Sequence, residues 1–169
     1  MISIGDKLPS SHLFVMGETQ PQKVSTDFLF GEKTCVLFGL PGAFTSVCSS
    51  KQVPEYVARK DDFARFGINQ IFCLSVNDPY VMTAWAGALV VQPETINFLS
   101  DPDAFFTKQI GMQQVIEGLG LRSRRFSALL HDGEVCILNV DEPGGKSYKV
   151  SGPDNMLRIL READEQSRS

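Results

Sequence analysis

The sequence predicts an α/β fold, a central mixed sheet flanked by helices, and two observations carry that expectation. Short apolar runs rich in β-branched residues alternate with longer segments of helical spacing, and no internal repeat or low-complexity tract interrupts them. The other observation is size. A chain of 169 residues with 43% apolar side chains can fill one sizeable core, so residues 1–169 are expected to form a single domain.

The elements follow in order. "TCVLFGL" (34–40) predicts a buried strand that stops at the Pro41-Gly42 breaker, and "IFCLSVN" (71–77) a second one that stops before Asp78-Pro79. Between them a helix is expected from about Ser46 to Arg65, interrupted near Pro54 and ended by Gly67. "DPYVMTAWAGAL" predicts a helix with Asp78 as its cap and Pro79 in the first turn, where the missing N–H costs least. "INFLSD" (96–101) suits a short strand and "DAFFTKQIGM" (103–112) a short helix ending near Gly111. "RFSALLH" (125–131) and "EVCILNV" (134–140) predict two strands joined through Asp132-Gly133, a strong hairpin signal. A closing helix is expected from Asp154 to about Glu165, with only "QSRS" frayed. Two strands joined by a helix, then a hairpin and a final helix, is the order expected of a thioredoxin-like sheet.

Composition narrows the function. A net charge of −4 and the lack of long Lys or Arg runs argue against nucleic acid and membrane surfaces as partners. The start, "MISIGDKLPSSHLF", has no basic stretch followed by an apolar one, and the longest apolar run, "AWAGALVV" (84–91), is far short of a bilayer span. A soluble, cytoplasmic protein is expected. Four cysteines, at 35, 48, 73 and 136, are too few and too scattered for the disulfide framework of a small secreted domain, which fits a reducing compartment. They form no C-x-x-C pair, and His12 and His131 stand far apart in sequence, so neither a metal site nor a cofactor is expected. "GGKS" (144–147) resembles the end of a phosphate-binding loop, but Val140 stands where the leading glycine would be, so a turn is expected. His131 suits a solvated hairpin end better than a Cys-His hydrolase.

Cys48 has chemical content because it stands at a helix start, where unsatisfied N–H groups and the helix dipole favour an anion. A thiolate is that anion, and it is the form of cysteine that attacks electrophiles. Arg122, Arg124 and Arg125, in "LRSRRF", can add to this if one guanidinium folds back over the sulfur. The plainer alternative is a small buried thiol beside a solvated turn.

The surroundings favour the first alternative. "PGAFTSVC" resembles the active-site loop of peroxiredoxins, with Pro41, Thr45 and Cys48 in the spacing P-x-x-x-T-x-x-C. "VPEY", "CLSVNDPYVMTAW" and "RSRRFSALLHDGEV" resemble segments of the type II, peroxiredoxin-5-like subfamily in the same order, and the likeness runs from "GDKLP" to the last helix. It implies a thiol-dependent peroxidase reducing hydrogen peroxide and organic hydroperoxides, in which the Cys48 thiolate attacks the O–O bond and becomes a sulfenic acid. It also implies supporting roles for Thr45, Arg125 and Pro41. Arg125 is preferred to Arg124 because the family arginine opens the strand three residues before the position of Ala128.

Two departures stand out. Ser46 and Val47 replace the proline and threonine that often flank this part of the loop, and "KSYKVSGPDN" (146–155) lacks the resolving cysteine that some relatives carry there. Cys73, 25 residues after Cys48, resembles a second cysteine of plant and some bacterial members. It is either a resolving thiol or core packing. Cys35 and Cys136 lie inside apolar strand runs and are expected to pack in the core. If Cys73 does not resolve the sulfenic acid, family membership implies glutathione with glutaredoxin, or thioredoxin, as reductant. Type II members also often pair through the face around the active-site loop, which implies a homodimer, and Phe44 and Trp85 are either core aromatics or part of that surface. The rival function is a non-enzymatic redox sensor or binding module on the same fold. A disulfide oxidoreductase is weaker, because "CSSK" lacks a second cysteine.

Overall fold

The computed structural model describes residues 1–168. The chain opens with a hairpin of β1 (His12–Met16) and β2 (Pro21–Ser25), and a one-turn helix α1 (Thr26–Phe30) capped by the Ser25 hydroxyl. The alternation in β1 and β2 is weak, and no sequence signal announced them. The buried strand β3 (Thr34–Gly39) then leads into the loop that carries Pro41 to Thr45.

Helical backbone starts at Ser46, as expected. It widens into a π-turn over Cys48–Gln52 before α2 (Val53–Ala58), breaks at Arg59 and resumes as α3 (Lys60–Ala64). Pro54 therefore widens the helix rather than interrupting it. In a regular helix its ring would crowd the carbonyl four residues back, and the Val53 N–H to Cys48 carbonyl bond of the π-turn opens that space. The strand β4 (Gln70–Ser75), the helix α4 (Pro79–Leu89) and the strand β5 (Asn97–Ser100) follow. Asp78 caps α4 through Val81 N–H at 2.9 Å, as its sequence predicts.

A short helix α5 (Phe105–Gln109) precedes an unexpected ribbon of β6 (Gln113–Ile116) and β7 (Gly120–Ser123). β8 (Phe126–His131) and β9 (Glu134–Val140) form the expected hairpin, with Asp132 and Gly133 both at positive φ, 48° and 74°, as a tight two-residue turn requires. The last helix, α6, runs from Pro153 to Arg168. Gln166 to Arg168 are thus helical rather than frayed, and Ser169 lies outside the described residues.

The strands assemble in the order β2-β1-β5-β4-β3-β8-β9. β3 pairs parallel to β4 and β4 parallel to β5, while β8 and β9 add on antiparallel, so the sheet is mixed. Alternation along the central strands sends Val36, Phe38, Ile71 and Cys73 to one face, against Tyr56, Phe63, Trp85 and Met156 of the helices. Cys35, Leu37, Phe72 and Leu74 face the other way, against Leu29, Phe30 and Phe106. Trp85 is wholly buried, and truncating such a side chain to alanine costs about 3–5 kcal/mol. The ring of Tyr56 stacks on Phe38 at 4.0 Å, and its hydroxyl donates to the Ser151 carbonyl at 2.6 Å, tying α2 to the approach to α6.

Cys136 corrects an expectation. Its run reads as apolar, but β9 is the edge of the sheet and alternation turns Cys136 outward, so it is exposed. Cys35, on the central strand β3, is buried as expected. Among the described residues no helix is long and apolar enough to cross a membrane.

Candidate active site

The C-terminal end of β3 delivers the chain to a loop held from three directions. The Ala43 N–H donates to Asn77 Oδ1 at 2.8 Å, Arg122 Nη1 donates to the Pro41 carbonyl at 3.1 Å, and the Thr45 hydroxyl donates to the Gly42 carbonyl at 2.7 Å. A Cβ on Gly42 would collide with Arg122 Nη1, so a side chain there would force that guanidinium to shift. Phe44 turns the corner at φ 64°, a left-handed conformation that costs a side-chain-bearing residue roughly 1–2 kcal/mol. Its ring is exposed, whereas Trp85 belongs to the core, which separates the two aromatics that the sequence left together.

Cys48 lies in the first turns of the helix, and its side chain is wholly buried. The N–H groups of Val47 and Cys48 precede the first helical bond, which runs from Ser49 N–H to the Thr45 carbonyl at 3.0 Å. Arg125, immediately before β8, is buried and donates through Nη1 to Cys48 Sγ at 3.2 Å. Strand pairing brings it there, because Phe126, the next residue, sits opposite Gly39 at the end of β3. Nη1 also donates to Gln52 Oε1 at 2.5 Å, and Nη2 to the Gly145 carbonyl at 2.7 Å. Arg125 Nε is buried and has no hydrogen-bond partner among the described residues.

Several residues of this assembly were not anticipated. Gln52 stands four residues after Cys48, a helical spacing that could have marked it, and its Nε2 donates to the Gly39 carbonyl at 3.4 Å. That contact turns Oε1 toward Arg125. The "GGKS" turn is indeed a turn, and it supplies the carbonyl that holds the guanidinium. Asp141 organises the loop behind it, its buried carboxylate accepting from the N–H groups of Lys149, Val150 and Ser151. Tyr148 places its ring 5.9 Å from the Arg125 guanidinium carbon. Burial, and then the charge of Glu55, push its hydroxyl well above the usual tyrosine range, so it stays protonated. Arg122 holds Pro41, while Arg124 Nη2 donates to the Asp141 carbonyl at 2.8 Å and turns away from the sulfur.

Cys73 lies in the same core cluster as Cys48. Burial, reinforced by proximity to Cys48, pushes its thiol well above the ordinary cysteine range. Burial also raises Cys35, to about 12. All four cysteines are free thiols, and no group of three or more potential metal ligands occurs among the described residues.

A cavity of about 190 Å³ adjoins the assembly, lined in part by Pro41, Thr45, Val47 and Arg125 and by Ile116 and Leu119 of the β6–β7 ribbon, with Cys48 buried behind its lining. A larger one, about 550 Å³, lies near Lys33 and Asp132, at the opposite end of β3 from the cysteine, and has no part in this chemistry.

Residues 3–157 match the Redoxin family, and the chain belongs to it. It is 38% identical over 162 residues to Peroxiredoxin-2B of Arabidopsis thaliana, covering 94% of this chain and 98% of that one. Its fold superposes with a TM-score of 0.88 on reduced Prx3 of Vibrio vulnificus, crystallised with hydrogen peroxide, at 37% identity over 95% of this chain and 99% of the other. Peroxiredoxin 5 of Alvinella pompejana gives a TM-score of 0.82 at 27% identity, over 96% and 99% of the two chains. Within its family this chain is a type II peroxiredoxin, a thiol-dependent peroxidase with the thioredoxin-like fold.

Proposed function

We propose that Cys48 is the peroxidatic residue and that Arg125, Thr45 and Pro41 form its pocket. The observation that carries this reading is the Arg125 guanidinium, buried and 3.2 Å from Cys48 Sγ at the base of a cavity. The thiolate sulfur attacks the terminal oxygen of a hydroperoxide. The S–O bond forms as the O–O bond breaks, sulfur loses two electrons, and the leaving oxygen takes up a proton to become water or an alcohol. Arg125 stabilises negative charge on the sulfur and then on the departing oxygen, through the guanidinium whose Nη1 already meets Cys48 Sγ. Thr45 already donates to Gly42, so its hydroxyl oxygen is left to accept from the peroxide O–H. Pro41 shields the sulfur from water without adding a donor.

Hydrogen peroxide and small organic hydroperoxides are the substrates. The raised Cys73 thiol is a poor attacking group, so an external dithiol or glutathione system, glutaredoxin or thioredoxin, returns Cys48–SOH to the thiol with release of water. The exposed Phe44 beside the cavity supports a homodimer through the loop face, and four free cysteines support residence in the reducing cytoplasm. The test is the intact mass of reduced protein quenched seconds after one equivalent of hydrogen peroxide, beside Cys48→Ser. Gain of one oxygen in the wild type alone is expected. Loss of two hydrogens instead would assign resolution to a second cysteine, and no change in either protein would sink the reading.

A further inference from the structure

The cavity lined by Arg125 and by Thr45 to Val47, the residues just before Cys48, is larger than hydrogen peroxide needs. At about 190 Å³ it has room for about six water-sized groups. Its walls, Pro41, Val47, Ile116 and Leu119, are apolar, and they suit a carbon chain attached to the peroxide. Its charged lining is of one sign. Arg125 sits at the base and Lys146 at the rim, and no carboxylate lines any part of it.

Lys146 directly follows Gly145, whose carbonyl is fixed on Arg125, so its backbone is anchored at the mouth. No ion pair among the described residues includes it. Glu117, at the tip of the β6–β7 ribbon, and Glu142 are exposed and stand outside the lining. The molecule's net charge of −4 disfavours anions in general, so a cation kept unpaired here acts locally.

We propose that Lys146 is a specificity-determining residue that selects hydroperoxides bearing an anionic group, a carboxylate at the far end of a short apolar tail. The peroxide end reaches Cys48 and Arg125, the tail lies along Ile116 and Leu119, and the carboxylate meets the Lys146 ammonium at the rim. This rests on Cys48 and Arg125 being the reaction centre. An ion pair at an exposed rim is worth a few-fold in affinity and weakens with salt, so a preference of about three- to tenfold at low ionic strength is expected.

The experiment compares kcat/KM for 5-hydroperoxypentanoate with that for its primary amide, which has nearly the same shape and no charge, using one thiol reductant at low and high salt. In the wild type the acid is favoured about three- to tenfold at low salt, and the ratio shrinks as salt is added. In Lys146→Gln the ratio falls to about one, and in Lys146→Glu it inverts. A wild-type ratio near one with good turnover of the amide overturns the inference while leaving the peroxidase site intact, and so does a preference that survives Lys146→Gln. Failure of the wild type to turn over any hydroperoxide, hydrogen peroxide included, overturns both readings.

Discussion

Cys48 and Cys73 are the same residue type, equally buried and in one core cluster, yet their surroundings differ. Cys48 stands at the beginning of a helix, where the first N–H groups have no partner within the helix, and it has a guanidinium on its sulfur. Cys73 stands in the middle of the central strand β4, between β3 and β5, where every neighbouring backbone group is committed to the sheet. Burial alone disfavours a thiolate, whereas hydrogen-bond donors and a nearby cation favour one. Under the proposed assignment, what separates the reactive thiol from the packing thiol is the set of donors around it, and not its exposure.

The largest expected effect comes from removing those donors. Arg125→Met keeps the length of the side chain and takes away its charge, and it should lower kcat/KM for hydrogen peroxide by about 10²–10³-fold, read in a coupled thiol assay. A loss below about threefold would mean that the backbone N–H groups suffice. Gln52→Ala removes the acceptor that orients the guanidinium without touching the sulfur, and a decrease of roughly tenfold is expected. Gln52→Met, which keeps the length and packing of the side chain but offers no amide acceptor, should fall as far as Gln52→Ala, and this separates orientation of Arg125 from loss of packing.

Cys73→Ala should leave steady-state turnover with an external reductant within about twofold, since a thiol held protonated attacks a sulfenic acid slowly. Iodoacetamide should sharpen the contrast in the native protein between pH 7 and 9. Cys136, exposed on the edge strand, labels readily, while Cys73 and Cys35 stay unlabelled until unfolding. Rapid labelling of Cys73 would show that β4 opens locally, and would restore it as a resolving candidate.

The smallest effect concerns stability. Cys35 is raised from 9.0 to about 12 in the folded chain, so the unfolded state gives up its proton first as pH rises. Stability from this group is complete below pH 9 and is lost as pH climbs toward 12, at up to about 1.4 kcal/mol per pH unit. Denaturant unfolding of Cys35→Ala should show a shallower decline above pH 9 than the wild type, whatever its stability at neutral pH.

The central strands, the helix after Asp78 and the Asp132-Gly133 hairpin were legible because their signals are local: an apolar run, a cap, a turn dipeptide. Pro41, Thr45 and Cys48 were singled out by resemblance to a family loop motif, which a sequence can display because its residues are neighbours in the chain. β1, β2 and the β6–β7 ribbon were not, since partly exposed strands have weak alternation and gain their hydrogen bonds from partners the local sequence does not name. Cys136 looked like a core residue because an apolar run does not say whether its strand lies in the middle of a sheet or at its edge.

The site divides along the same line. Sequence by itself placed Cys48 at a helix start after a turn, because such signals are written over a few consecutive positions, while the choice of Arg125 and the roles of the loop residues came from resemblance to a family loop. Tertiary structure brings Arg125, the arginine already preferred by resemblance, to the sulfur, and it alone decided that Gln52 and Gly145 hold it there and that Asp141 ties down the loop behind it. Those contacts join residues as many as 77 positions apart. They exist because β8 pairs antiparallel with β3 and so carries its first residues to the end of the strand that launches the cysteine loop.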